Sequence, residues 1–311
     1  MAHEWMRHLF FRCTFAAIIT HIFTSSYFII DIMKKILILI AAIGMLMGTI
    51  ACGDDEPKRG NGVFNVNTNM INHISSADGS QFIGMSTTQN RLVLDTVHHT
   101  ATLELKYNDG SGDQTVSLND ITATPKGVRF YVLTAASDPT FSGYVDFGES
   151  SMRYCYTTPQ GQRVVSFTPS VFFRKAHSIV TYDDTTQATT TDAAIYQFNV
   201  LPSTQRTTIT VEHIVHAKDM KYFNRVTSTN VPFTPTANGF KIDATNLSTN
   251  AKYIFYNDST GNSDKYTDKY PFAIFNADID LVNDRLDATY KLGSSATVTV
   301  TGRTYPDFAT Y

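Results

Sequence analysis

Cysteine, tryptophan and charge are scarce in this chain of 311 residues, which has three Cys, one Trp and 17% charged residues. Cys13 and Cys52 both lie in the apolar N-terminal sixth, so Cys155 is the only thiol beyond it and no disulfide can form within residues 53–311. Soluble domains carry about 25% charged residues. The shortfall means that Ser, Thr, Asn and Gln supply much of the polar surface, which suits an extracellular β protein better than a cytosolic helical one. There is no block of basic residues, and the net charge is −3. Nucleic acid is therefore not an expected partner. Long helical periodicity is missing as well. So are a Gly-x-Ser-x-Gly elbow, a phosphate-cradling glycine loop and a His-Glu-x-x-His pair. The expectation is a protein that is not an enzyme and carries no cofactor.

What the chain does have is concentrated apolar sequence at its start. From Met33, "MKKILILIAAIGMLMGTIAC" places two lysines, an apolar run from Ile36 to Ile50, a small residue and Cys52 in that order. A secretory signal needs a charged start, an apolar stretch of this length and a small residue before the cut. As a membrane span the run is short, since about 20 apolar residues are required. Upstream, residues 1–32 hold a second apolar run, "FAAIITHIFTSSYFIIDI", which a complete signal does not need. They read as an extension upstream of a true start at Met33, or else as a membrane segment, with 33–51 the signal peptide and 52–61 an acidic tether. Four of the 25 basic and two of the 28 acidic residues fall in 1–51, so the remainder carries a net −5.

Thr49-Ile50-Ala51-Cys52 resembles a bacterial lipobox, with Thr where Leu is usual three residues before the cysteine. The resemblance implies cleavage before Cys52 and attachment of acyl chains such as palmitate to it. Two or three chains hold a protein on a membrane far better than one. The acidic run Gly53-Asp54-Asp55-Glu56-Pro57 resembles the export signal of Bacteroidota lipoproteins, and the chain is similar to the uncharacterised surface lipoproteins of that group. That likeness implies an outer-membrane, lipid-anchored protein facing the cell exterior.

From Val63 onward, short apolar/polar alternations are separated by turn residues. "ATLELKY" (101–107), "NDGSGD" (108–113) and "QTVSL" (114–118) predict a hairpin. "NTNMINHISSA" (67–77) predicts one short helix. "TYDDTTQATTTDAA" (181–194) is Thr- and Asp-rich and reads as a linker. The fold class expected is all-β, with two tandem antiparallel β-sandwich-like domains over 62–180 and 195–311. The halves align: "ITATPKGVRFYV" (121–132) with "VPFTPTANGFKIDA" (231–244), and 141–168 with 275–301, which pairs Asp146 with Asp280, Met152 with Leu286 and Tyr156 with Tyr290. An internal duplication is the expectation.

Candidate sites are few. Cys155 lies within a strand pattern and reads as a packing residue. In "TITVEHIVHA", Ile209, Val211, His213 and Val215 share a strand face and His216 points away, so His213 and His216 do not converge on a metal. His98 and His99 read as turn residues. "NDSTGNSD" (257–264) offers weak calcium ligands at Asp258 and Asp264, though it lacks the twelve-residue loop ending in a bidentate Glu. For a glycan-binding accessory lipoprotein of a nutrient-uptake system, aromatic platforms matter, and loop tyrosines Tyr222, Tyr266 and Tyr270 are the candidates. A protein partner or a fimbrial, adhesin-type assembly role, with an exchangeable edge strand at Asp307–Tyr311, is the other expectation for these domains.

Overall fold

The computed structural model describes residues 62–127, 129–182, 187–190, 194–217, 220, 224–253, 266–267, 270–293 and 296–303. Cys52, the signal segment and the tether lie outside them. Residues 59–311 form one compact unit. Eight strands run first: β1 (Val63–Ser75), β2 (Phe82–Asp95), β3 (Thr100–Asn108), β4 (Asp113–Pro125), β5 (Phe130–Ala135), β6 (Ser142–Asp146), β7 (Ser151–Thr157) and β8 (Arg163–Phe167). Each pairs antiparallel with the next, and β8 returns to β1 through Ile71↔Phe167 to Ser75↔Arg163, which closes a barrel. The expected hairpin over 101–118 is present as β3–β4, with Asn108 opposite Asp113.

The second half differs from the sandwich expected. It contains β9 (Ser170–Tyr182), β10 (Gln187–Thr190), β11 (Ile195–Leu201), β12 (Arg206–Ile214), β13 (Asn224–Pro232), β14 (Thr234–Thr236), β15 (Gly239–Leu247), β16 (Asn250–Tyr253), β17 (Tyr266–Thr267), β18 (Phe272–Asp280), β19 (Arg285–Leu292) and β20 (Ala296–Arg303). These form one antiparallel sheet, in the order β14-β15-β18-β19-β20-β9-β11-β12-β13-β16-β17, with β10 beside β9. The fold is thus all-β, but as a closed barrel followed by a large open sheet. Sequence alternation is the same for a sandwich, a barrel and a rolled sheet, because each buries one face of every strand.

The boundary also differs from the one expected. β9 already belongs to the second sheet, pairing with β11 and β20. The change of architecture therefore falls at Thr168-Pro169. Within 181–194, Gln187–Thr190 pairs with Ser178–Thr181 as a strand and does not link two bodies. Threonine is the reason for the difference: it marks loops in polar runs, yet its β-branched side chain also fits a pleated edge.

β1 settles the short helix expected over 67–77 in favour of a strand. From Met70 to Ser75 every residue is buried. Met70 and Ile74 face the barrel core, while Ile71 joins the core of the second sheet. Likewise Val164 faces one core and Val165, its neighbour, the other. Burial on both faces puts Asn72, His73 and Ser75 inside together with Met70, Ile71 and Ile74, so no apolar/polar alternation marks the strand.

The two architectures are latched by side chains from the outer wall of the barrel. Arg153 on β7 is 7% exposed. Its Nη1 donates to Asp284 Oδ2 at 2.5 Å and its Nη2 to the Val282 carbonyl at 3.0 Å. Arg163 donates to Asn238 Oδ1 at 2.7 Å. His73 Nε2 lies 2.7 Å from the Thr236 carbonyl. Removing one member of a buried pair leaves the other charge desolvated. Arg153→Ala should cost about 2 kcal/mol, below the full penalty for a buried pair because Asp284 keeps some water contact. It should also speed thiol labelling of Cys155, which packs against the second core, as read by peptide mapping. An unchanged labelling rate would mean that the latch carries no load.

The aligned halves share hairpins within different architectures. Asp146 accepts from the Gly148 and Glu149 amides, and Asp280 accepts from those of Val282 and Asn283. Each turn ends on a left-handed residue, Ser150 (φ 51°) or Asp284 (φ 55°). Tyr156 and Tyr290 are both fully buried.

Candidate functional site

Alternation along β15, β18, β19 and β20 sends Phe240, Ile242, Ala277, Ile279, Leu286, Ala288, Val298 and Val300 inward. Their polar neighbours face out, and register sets them in two rows across the strands. One row is Asp243, Asn276, Thr289 and Thr299; the other is Lys241, Asp278, Asp287 and Thr301. Because most of these side chains are short, the rows leave an open groove of about 490 Å³ between them.

The groove is internally balanced. Lys241 Nζ sits 3.2 Å from Asp278 Oδ2, and Arg285 Nε 2.7 Å from Asp287 Oδ2. With its amide turned so that both ends find partners, Asn276 donates to Asp243 Oδ1 at 2.9 Å. The carboxylates are thus held in place by neighbours yet keep free lone pairs, since each oxygen accepts more than one hydrogen bond. Threonine hydroxyls both donate and accept. The groove offers a dense array of hydrogen-bonding groups and neither a nucleophile paired with a base nor converging metal ligands. Among the described residues no group of three or more His, Cys, Asp or Glu converges.

The residues singled out from sequence are not brought together. Tyr270 is 3% exposed and belongs to the core of the second sheet, so it is not a platform. Its carbonyl accepts from Thr249 Oγ1 at 2.7 Å. Tyr266 falls in the two-residue strand β17. Tyr222, Asp258, Asp264 and residues 307–311 lie outside the described residues, as does Cys52.

The histidines divide. His98 lies in a turn, with Nδ1 2.7 Å from Asp95 Oδ2, and His99 has φ 56°. His213 does not continue the face of Ile209 and Val211. It has φ 58° at a register break between Val211 and Ile214, so Ile214 and His216 are buried in its stead. His216 Nδ1 lies 2.6 Å from Tyr290 Oη, which sits 3.3 Å from Tyr196 Oη, itself 3.1 Å from Ser178 Oγ. Burial holds the His216 imidazole down at about 4 and pushes the Tyr290 phenol well up. This is a neutral chain of one imidazole and three hydroxyls buried in the core. Burial also raises the Cys155 thiol, against the pull of Arg153 and Arg163, which makes it a poor nucleophile.

The groove itself escaped sequence reading. The signal was present in "KIDA", "FNADID", "LDATY" and "TVTVT": strand after strand carries Asp, Asn or Thr at its outward positions where Lys, Glu or Arg would be ordinary. Short outward side chains on adjacent strands predict a depression, but only once the strand order is known.

No protein-family model matches the chain, and no curated protein matches it. One solved structure it resembles is the isotype 1 transferrin binding protein B from serogroup B Neisseria meningitidis, at 8% identity and a TM-score of 0.22, over 79% of this chain and 77% of that one. A TM-score so low carries no argument about this protein.

Proposed function

We propose that the chain is a lipid-anchored surface protein whose barrel-and-sheet unit binds a partner and does no chemistry. The observation that carries the reading is the groove across β15, β18, β19 and β20. It presents eight polar side chains on a rigid sheet, in a chain whose Thr49–Cys52 stretch has the form of a lipidation signal. Rigid scaffolds with several fixed hydrogen-bonding groups favour recognition, whereas catalysis needs groups with pKa values set apart and aimed at one point.

The donor and acceptor set favours a hydroxyl-rich ligand in this groove, and hence a glycan, as a second reading. Asp, Asn and Thr satisfy ring hydroxyls directly, and in this reading they replace the tyrosine platform expected from sequence. Thr289 stands at the centre of one row and is exposed, so Thr289→Trp should fill the groove without touching the core. With the full chain in detergent, calorimetry against a panel of neutral linear oligosaccharides should give at least one saturable ligand, and Thr289→Trp should abolish it. Failure of the entire panel, or binding unchanged in the variant, would sink the glycan reading.

A further inference from the structure

The hairpin β3–β4 stands partly clear of the barrel wall. β4 pairs with the whole length of β3, from Asn108↔Asp113 to Thr100↔Thr122. It pairs with β5 only from Ile121↔Ala135 to Pro125↔Tyr131. Over Asp113–Asp120 no strand among the described residues pairs with its far side. The cause is local. Leu118 stands opposite Leu103 and Ile121 opposite Ala101, so Asn119 and Asp120 together face Thr102, a two-against-one bulge that turns β4 away from β5. Asp120 then fixes the departure by accepting from the Ser137 amide at 2.6 Å and its hydroxyl at 2.8 Å.

An unpaired edge of this length is a template for another strand, and proteins commonly block such edges with Lys, Pro or a short strand. Two other free edges among the described residues are blocked. β14 has three residues with Pro235 at the centre. Near the end of the β2 edge, the Lys106 amide donates to Asn90 Oδ1 at 2.8 Å. There too, the Lys106 carbonyl accepts from Thr88 Oγ1 at 2.6 Å and Asn72 Nδ2 at 2.9 Å, which replaces the missing ladder. The sequence "DQTVSLND" of β4 has neither Lys nor Pro. Thr115, Ser117 and Asn119 are exposed and Val116 is half-buried.

We infer that the Asp113–Asp120 edge of β4 receives an extended segment of a partner protein by strand addition, and that the segment carries basic residues at its ends. Charge selects this occupant. Asp109, Asp113 and Asp120 surround the edge and engage only Ser and Asn side chains and local amides. The nearby Lys106 is taken by Glu104 at 3.7 Å. A second copy of this chain fits poorly, because symmetric antiparallel pairing about Val116-Ser117 sets Asp113 opposite Asp120 at both ends. Like charges directly opposite are destabilising, and a basic strand meets the same carboxylates favourably. The inference deepens the binding reading above and rests on it for the protein's role, while using a surface separate from the groove.

The test uses the full chain in detergent and a fluorescent eight-residue peptide of alternating Thr and Val with Lys at each end. Anisotropy should show saturable binding. N-methylation of alternate peptide amides on the pairing edge should weaken it about tenfold or more, since several backbone hydrogen bonds are lost together. Asp113→Lys should weaken the Lys-ended peptide several-fold and strengthen an Asp-ended one. Thr289→Trp should leave peptide binding unchanged. Equal binding by the N-methylated peptide, or indifference to Asp113→Lys, overturns the inference. Loss of binding in Thr289→Trp would place the peptide in the groove, overturning the edge site while leaving the binding role standing. Light scattering that shows a dimer, with no peptide bound, would assign the edge to a second copy and overturn it too.

Discussion

Phe198→Ala should destabilise the protein by about 3–5 kcal/mol, the range for truncating a buried phenylalanine. Phe198 on β11 is fully buried. Its ring meets Phe173 edge-on at 6.0 Å, Phe240 at 6.2 Å and Phe275 at 6.5 Å. These rings come from β9, beside β11, and from β18 and β15, four and five places further along the sheet on the same side, so the sheet must curl for them to meet. The cavity left by Ala would be walled by strands that hydrogen-bond to fixed neighbours and cannot collapse into it, which places the cost at the upper end. For a unit of this size the melting temperature should fall by roughly 10 °C or more. Leu201→Ala, at a residue 56% exposed on the same strand, should change little. Urea titration of both variants checks the contrast. A loss below about 1 kcal/mol for Phe198→Ala would mean that the rings do not hold the sheet.

Acid should weaken the fold through two buried imidazoles. His216 in the folded protein is held at about 4, by burial, and His73 is lowered as well, chiefly by burial, with Arg163 adding to the effect. In the unfolded chain both return to about 6.5. The sign follows from proton counting. As pH falls below about 6.5 the unfolded chain binds protons that the folded protein refuses, so stability declines with falling pH. From His216 the loss accumulates to about 3 kcal/mol by pH 4, where the folded state also takes up the proton and this contribution levels off. Exposed carboxylates such as Asp78, held at about 2 by hydrogen bonds from Ser76 and Ser80, act only below that window. Stability measured by urea titration at steps from pH 7 to 4.5 should show a slope of one to two protons. His216→Gln should remove about one of them. A slope of zero over that range would contradict the buried, neutral placement of both rings.

How much was legible beforehand depended on how many faces of a strand are buried. β3, β15, β18 and β19 each have one buried face, and their alternation can be read directly from "ATLELKY", "GFKIDA" and "FNADID". The distal half of β1 is buried on both sides and reads as nothing in particular. Turn chemistry was equally legible where it is local: Asn108–Asp113 forms the expected hairpin turn, and His98-His99 the expected bend. Strand order is not local. Whether β8 closes back on β1 or continues outward is decided by the pairing of Ile71 with Phe167, 96 positions along the chain, and no short pattern records it. The groove and the β4 edge both depend on that order, which is why neither was visible. A single bulge also sufficed to misplace a histidine. His213 turns through a positive φ, and each residue after it exchanges faces.

Intact-mass analysis of the chain extracted from membranes tests whether Cys52 carries this β unit on a membrane. The predicted result is a protein that begins at Cys52 and carries diacylglycerol on that sulfur. A membrane-extracted chain that retains residues 33–51, or one whose Cys52 is an unmodified thiol, would contradict it.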